Sequence, residues 1–365
     1  MKILHPSIPT WDSAPPEVWR EWQLRRLRDY LAKRVLPYSA HYRRLFAEHD
    51  LHPADLKTLA DWSDAPFTSK GDLTVPREQQ REFVLLPDEA ALKREWDVIL
   101  HALMHGRAST QAALDHEFRP VLLTSTTGRS SEPVPFLYTK HDLANLDITG
   151  RRLMECGRSQ KDFRHLNAFP FAPHLAFWQA HHAGLSFGTF MVSTGGGKAM
   201  GTEGNLRLMD KIQPDVVIGM PTFLYHLLRQ GVEKGAHWPN IKRVVLGGEK
   251  VADGLRARLV DLAAELGSEG AHVISTYGFT EAKMAFPECP AGIEASGFHL
   301  SPDLALIEIV DPVTGQPAED GEPGEIVFTP LDARGTVVLR YRTGDIASGG
   351  LTWEPCPHCG RRCPR

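Results

Sequence analysis

Long apolar runs are missing from this chain of 365 residues. No stretch approaches the roughly 20 residues that a membrane span needs. The opening MKILHPSIPTWDSAPPE breaks into proline and acid before a signal-peptide core can form. Cysteine is scarce: there are five, and Cys356, Cys359 and Cys363 crowd into the last ten positions. Such spacing is not the even framework of a secreted disulfide domain, and the expected compartment is the cytoplasm. Neither sign of charge dominates, with 41 Lys and Arg against 45 Asp and Glu. The balance gives no global reason to expect nucleic acid or an anionic membrane as partner. No internal repeat or low-complexity tract is evident, and no Walker G-x-x-x-x-G-K-[ST] is present.

What is present is globular composition, 42% hydrophobic and 24% charged. Ser13 before Pro15, Pro16 and Glu17 is a helix start, and Val18, Trp22, Leu27, Leu31 and Val35 recur at helical spacing up to a stop at Pro37. Residues 19 to 45 are rich in Arg, and an amphipathic helix with a solvated basic face is preferred over an RNA-binding one. Residues 50 to 120 read as short helices joined by proline-containing loops. Three β-branched runs follow: Val216 to Ile218, Val244 to Leu246, and Val273 with Ile274, each ending in a glycine-bearing loop and separated by helical stretches. That alternation predicts an α/β doubly wound, mainly parallel sheet, whose ligands bind beyond the carboxyl ends of its strands. Past Pro302 the texture changes to shorter strands at Leu304 to Val310, Glu325 to Thr329 and Val337 to Tyr341, a small antiparallel β-rich subdomain.

Thr124-Ser125-Thr126-Thr127-Gly128-Arg129-Ser130-Ser131 follows the apolar run Val121 to Leu123. Hydroxyls, backbone N–H groups and one arginine suit a polyphosphate, although such a stretch alone is more often a surface loop. Gly247-Gly248-Glu249, Tyr277-Gly278-Phe279-Thr280-Glu281 and Tyr341-Arg342-Thr343-Gly344-Asp345 follow in order. Together these four motifs resemble the adenylate-forming superfamily of acyl-CoA synthetases, luciferases and peptide-synthetase adenylation domains. The stretches PYSAHYRRLFAEH, LADWSDAPFTSKGDL, FPECPAG and GFHLSPDLALIEIVDPVTG resemble its phenylacetate–coenzyme A ligase branch. The resemblance runs from about Leu24 to the end.

The resemblance implies a large adenylation domain that activates an aromatic acid as acyl-AMP, with transfer to coenzyme A or another acceptor. It divides the chain into a helical part (1–120), an α/β core with the ATP and acyl sites (121–300) and the β-rich subdomain (301–365). Thr124 to Arg129 is implied as the loop over the β- and γ-phosphates, with Arg129 catalytic. Gly247, Gly248 and Glu249 are implied beside adenine and the carboxylate. Tyr277, with Gly278 and Phe279, stacks on adenine; Thr280 contacts the α-phosphate; Glu281 holds Mg²⁺; Asp345 takes the ribose hydroxyls. The family has Gly where Ser125 stands, so the loop is expected to be narrower or differently bent. Phe171, His174 and Phe177 offer an acyl wall, although aromatics at that spacing are more often core, and Gly195 to Gly197 read as a flexible loop at the entrance.

Cys356-x-x-Cys359 has the spacing that puts two thiolates on one metal. Cys289 and His299 complete a candidate zinc tetrahedron, with Cys363 and His358 as alternative ligands and free thiols or a disulfide as the plain readings. Family members continue into a lid domain that supplies a catalytic lysine; this sequence stops before it, and a separate lid or acceptor protein is the expected partner. A homodimer, and a catalytically weak protein that only binds acyl-adenylate, are the further alternatives.

Overall fold

A computed structural model describes residues 10–92, 95–126, 132–292 and 294–365. The chain forms two compact units: Met1–Asn145 with Ser301–Pro355 and Arg361–Arg365, and Leu146–Leu300 with Cys356–Gly360. Eleven strands are found among the described residues: β1 Pro120–Ser125, β2 Pro135–Thr139, β3 Arg164–Asn167, β4 Phe190–Ser193, β5 Val216–Gly219, β6 Arg243–Gly247, β7 His272–Phe279, β8 Met284–Pro287, β9 Ala305–Val310, β10 Gly324–Pro330 and β11 Tyr341–Ala347. No helix among the described residues is long and apolar enough to cross a membrane.

In the first unit the helix Pro16–Tyr30 begins with proline at its first position, where the missing N–H costs nothing. Its cap is Pro15, not Ser13, and its buried stripe is Trp19, Trp22, Gln23, Leu27 and Tyr30, with Val18 exposed. Pro37 does not stop the chain. A π-helical turn at Leu31–Val35 resets the hydrogen bonding, so Pro37 lies in the first turn of Leu36–Tyr38 and breaks no bond. Ser39 ends the run and caps Ala40–Glu48, accepting from the Tyr42 N–H at 3.3 Å.

β1 and β2 form an antiparallel hairpin, and β9, β10 and β11 a three-stranded antiparallel sheet in the order β11-β10-β9. The strand expected over Val337 to Tyr341 begins only at Tyr341. Val337, Val338 and Leu339 are buried but lie in a loop, and Arg340 at φ 43° breaks extended backbone. Its buried guanidinium bonds Glu308 at 3.0 Å and the Ser63 carbonyl at 2.5 Å, which hold that conformation.

The second unit is built on a six-stranded sheet in the order β4-β3-β5-β6-β7-β8, parallel from β4 to β7 with β8 antiparallel to β7. All four residues of β5 are buried, as two covered faces require. Val217 joins a cluster with Leu224, Leu228, Leu259, Leu262 and Trp238. Val216 and Ile218 point the other way, to Phe163, Phe169 and Ala180. The chain steps from β3 outward to β4, then returns past β3 to β5. This reversal is a topological switch point, where the carboxyl ends of neighbouring strands open a crevice.

Candidate active site

The loops leaving β3, β5, β6 and β7 supply the candidate groups of the second unit. After β6, Gly247 is buried, and a Cβ there would stand 2.6 Å from Thr276 Oγ1 and 3.3 Å from the Phe169 ring. Only glycine fits so close an approach. Gly248 follows at φ 81°, turning the chain so that Glu249 reaches the start of helix Pro221–Glu233. There the Glu249 carboxylate accepts from the Thr222 hydroxyl at 2.9 Å and its N–H at 3.2 Å. A carboxylate on the first turn of a helix is favourably placed against its dipole.

β7 delivers Tyr277, Gly278 and Phe279, and a 3₁₀ turn then carries Thr280 and Glu281. Tyr277 is half-buried, its ring centroid 5.6 Å from Phe279 and 5.7 Å from Phe298. Gly278 pairs with Ala285 across the antiparallel ladder. Glu281 is half-buried on a turn that Lys283, at φ 57°, closes. One carboxylate beyond a strand end fits Mg²⁺, which is commonly held by one or two carboxylates plus substrate phosphates. The position of this turn is fixed from below. Glu288 accepts from the Ser275 N–H at 2.8 Å and from Arg256 at 2.9 Å, a fully buried pair; Arg256 also donates to the Val273 carbonyl at 2.8 Å. Burial pushes the Glu288 carboxyl up against the opposing pull of these hydrogen bonds.

The three acyl candidates separate. Phe171 is 58% exposed on the loop after β3, with its ring edge-on to Phe177 at 5.2 Å. Phe177 packs against the β5 cluster and stacks on His181, so it is partly core, as the plainer reading of the sequence had it. His174 is half-buried at the cap position of helix Leu175–Phe187. Gly195 and Gly196 are packed rather than loose. A Cβ on Gly195 would lie 2.4 Å from the Phe171 ring, and one on Gly196 2.5 Å from the Ala168 carbonyl. Phe298 escaped the sequence reading; the GFH stretch that carries it was the only signal.

The other candidates belong to the first unit. Thr124 is buried, its hydroxyl 3.4 Å from the Tyr138 phenol on the packed side of the hairpin, which leaves its side chain poorly placed for a phosphate. Ser125 pairs with Pro135 in the regular ladder and takes no positive φ, so the expected distortion is not seen. Thr126 closes the hairpin stem, donating its N–H to the Val134 carbonyl and accepting from the Val134 N–H at 3.0 Å. Thr127, Gly128, Arg129, Ser130 and Ser131 lie outside the described residues. Asp345 sits on a bulge: Val327 pairs with Arg342 and Glu325 with Ile346, so Thr343, Gly344 and Asp345 oppose a single residue. Thr343 donates to the Ile326 carbonyl, Gly344 to Glu325, and Asp345 is thrust into solvent.

Cys289, His299, Cys356 and Cys359 gather with all four donor atoms within 4.8 Å of one another. Cys289 Sγ and Cys356 Sγ are 3.8 Å apart, the edge of about 3.8 Å expected of a tetrahedron with Zn–S bonds near 2.3 Å. His299 Nε2 lies 3.1 Å from Cys359 Sγ. His358 faces Glu294 at 3.9 Å, and among the described residues the gathered donors are these four. Buried soft donors in this number fit zinc.

The sequence profile of AMP-binding enzymes matches residues 142–330. The chain belongs to this family. Phenylacetate-coenzyme A ligase of Aromatoleum evansii is 27% identical to this AMP-binding enzyme over 343 residues, covering 92% of the chain and 67% of the relative. The ligase of the same name from Thermus thermophilus is 29% identical over 366 residues, covering 98% and 71%. 2-Hydroxyisobutyryl-CoA ligase, solved with 2-HIB-AMP and CoA, superposes with a TM-score of 0.77 at 20% identity, over 100% of this chain and 78% of that one. The expected superfamily and its large-domain fold are borne out.

Proposed function

We propose that this AMP-binding enzyme activates an aromatic carboxylic acid with ATP, forming acyl-AMP and pyrophosphate, and passes the acyl group to coenzyme A. The observation that carries the reading is the pair of neighbouring loops beyond the carboxyl ends of β6 and β7, which present Gly247 to Glu249 and Tyr277 to Glu281, in a chain whose relatives are ligases. Those relatives favour an enzyme over a protein that only holds acyl-adenylate.

Adenylation is attack of a carboxylate oxygen on the α-phosphorus with departure of pyrophosphate, and it needs positioning and charge neutralisation more than a side-chain nucleophile. Tyr277 would offer its ring to adenine, Thr280 its hydroxyl to the α-phosphate and Asp345 its carboxylate to the ribose. Glu281 would hold Mg²⁺, which supplies charge neutralisation at the phosphates, and Arg129 would add to it. Phe171, Phe177 and His174 would wall the acyl group. Zinc on Cys289, His299, Cys356 and Cys359 would be structural, since four protein ligands leave no open position. A lid or acceptor protein working with these units, and a cytoplasmic setting where ATP and coenzyme A are at hand, belong to the same proposal.

The test is ATP–pyrophosphate exchange over a panel of aryl and alkyl acids, followed by coenzyme A consumption. Exchange that depends on an aryl acid supports the reading. Tight binding of acyl-AMP with no exchange for any acid would replace it with the binding-protein alternative.

A further inference from the structure

The helix Trp96–His105 is an anomaly in the first unit. None of its ten residues is buried, although it carries Trp96, Val98, Ile99, Leu100, Leu103 and Met104. Val98, Ile99, His101 and Ala102 are half-covered on the side that meets the following helix, Arg107–Phe118, where His101 Nδ1 lies 2.9 Å from Thr110 Oγ1. The outer side is bare: Trp96 is 82% exposed, Leu100 54%, Leu103 79% and Met104 62%. Positions 96, 100, 103 and 104 fall on one stripe of an α-helix. Single exposed hydrophobes need no explanation, but four large ones in a stripe mark an interaction surface.

We infer that this stripe is the centre of a two-fold interface between two copies of the chain, with the two Trp96–His105 helices packed antiparallel. Three observations select a second copy. The stripe is nearly symmetric about Leu100, with Trp96 at one end and Leu103 and Met104 at the other. A two-fold axis near Leu100 therefore sets each indole against the partner's Leu103 and Met104, the self-complementarity of an isologous contact. Its exposed apolar surface is on the order of 500 Å², enough for the dry centre of a standard interface burying about 800 Å² per partner, and tryptophan with methionine is the usual make-up of such centres.

The charges choose the direction. Asp97 at the start of the helix and Arg107 just past its end are both exposed, and neither is paired among the described residues. Antiparallel packing brings each Asp97 toward the partner's Arg107, whereas parallel packing would set Asp97 against Asp97.

Analytical ultracentrifugation of the full chain from about 1 to 100 μM, the range over which weak to moderate dimers dissociate, reads the outcome. The wild type is expected to be dimeric in the upper part of that range. Leu103→Glu should give a monomer with an unchanged melting temperature, because the side chain is exposed in the protomer. Asp97→Arg and Arg107→Asp should each weaken the dimer about threefold to tenfold, since each charge pair occurs twice. The double swap should restore it, which only a homotypic antiparallel contact explains. A wild type that stays monomeric overturns the inference, whatever else binds the stripe. So does a dimer untouched by Leu103→Glu, or single charge swaps that add without restoration.

Discussion

His141 and Asp332 face each other at 2.9 Å through Nε2 and Oδ2, and the opposite ring nitrogen of His141 lies 3.2 Å from Glu117 Oε1. Arg334 bonds Glu117 at 2.7 Å and Asp332 at 3.3 Å, and Arg26 also reaches Asp332. The network joins the N-terminal helix, the helix Arg107–Phe118, the residues after β2 and the loop after β10. Burial alone would lower the His141 pKa, but the two carboxylates overcome it and raise the group to about 9 from 6.5.

That shift makes stability depend on pH with a definite sign. The folded state binds the proton more tightly than the unfolded chain. Its contribution is therefore complete below about pH 6.5 and is lost as pH rises through about 9. The loss amounts to at most about 3 kcal/mol. Urea unfolding at several pH values should show the decline in wild type and its absence in His141→Gln; parallel curves for the two proteins would refute the assignment.

The buried pair of Arg256 and Glu288 supports the strand that carries Tyr277. Removing the carboxylate strands a guanidinium in the core, so Glu288→Ala should cost about 3–5 kcal/mol of stability. Replacing both residues by apolar ones of similar volume should cost less. A loss in the double variant equal to the sum of the losses in the two single variants would mean the pair is not coupled.

Much of this was legible before the structure. β5 announces itself because a strand buried on both faces is apolar throughout, and β6 and β7 through their short Val-Val-Leu and Val-Ile runs; each ends in a glycine-bearing loop. β3 does not, because three of its four residues, Arg164, His165 and Asn167, are polar. Side-chain and backbone partners satisfy the two buried ones: Ser159 reaches His165 at 3.1 Å, and Asn167 bonds Ser193 and the Phe169 N–H. β11 was misplaced because Val337 to Leu339 are apolar for burial in a loop, not for a ladder. The gathering of Cys289, His299, Cys356 and Cys359 could be read from C-x-x-C plus one more Cys and His, since metal chemistry restricts residue types severely. Phe171 and Phe177 could not be told apart, because which ring faces solvent is decided by the Gly195 turn packed beneath one of them.

Elemental analysis of untagged protein should find one zinc per chain. Chelation should lower the melting temperature without releasing activity that depends on added metal at that site, because the ligand set is closed. Cys356→Ser should lose both the zinc and the stability it confers. Metal-free protein with the same melting temperature would leave the four residues a plain thiol cluster.

Asp345 is exposed on the β11 bulge, so its removal should not disturb folding. Asp345→Ala is expected to weaken AMP binding by roughly 1.5–3 kcal/mol for a lost charged hydrogen bond. Isothermal titration with AMP reads this directly, and unchanged affinity would remove the ribose assignment.

Phe171 offers the sharpest test of the acyl wall. Its ring rests on the Gly195 turn and touches Phe177, yet more than half of it is open to solvent. Truncation to alanine therefore forfeits little core packing and should move the melting temperature hardly at all. An aryl acid seated against the ring would lose an aromatic contact worth about 0.5–1.5 kcal/mol together with part of its buried area. KM for the acid should rise about tenfold, with kcat nearly unchanged because the reacting carboxylate lies at the far end of the acid. Alkyl acids of similar length should be less affected, so selectivity for aryl over alkyl acids should fall. Gly195→Val, which drives a side chain into the same ring, should displace Phe171 and reproduce that fall in selectivity. If Phe171→Ala leaves KM alone while Phe177→Ala raises it, the acid lies deeper, along the helix Leu175–Phe187, and Phe171 is only its cover.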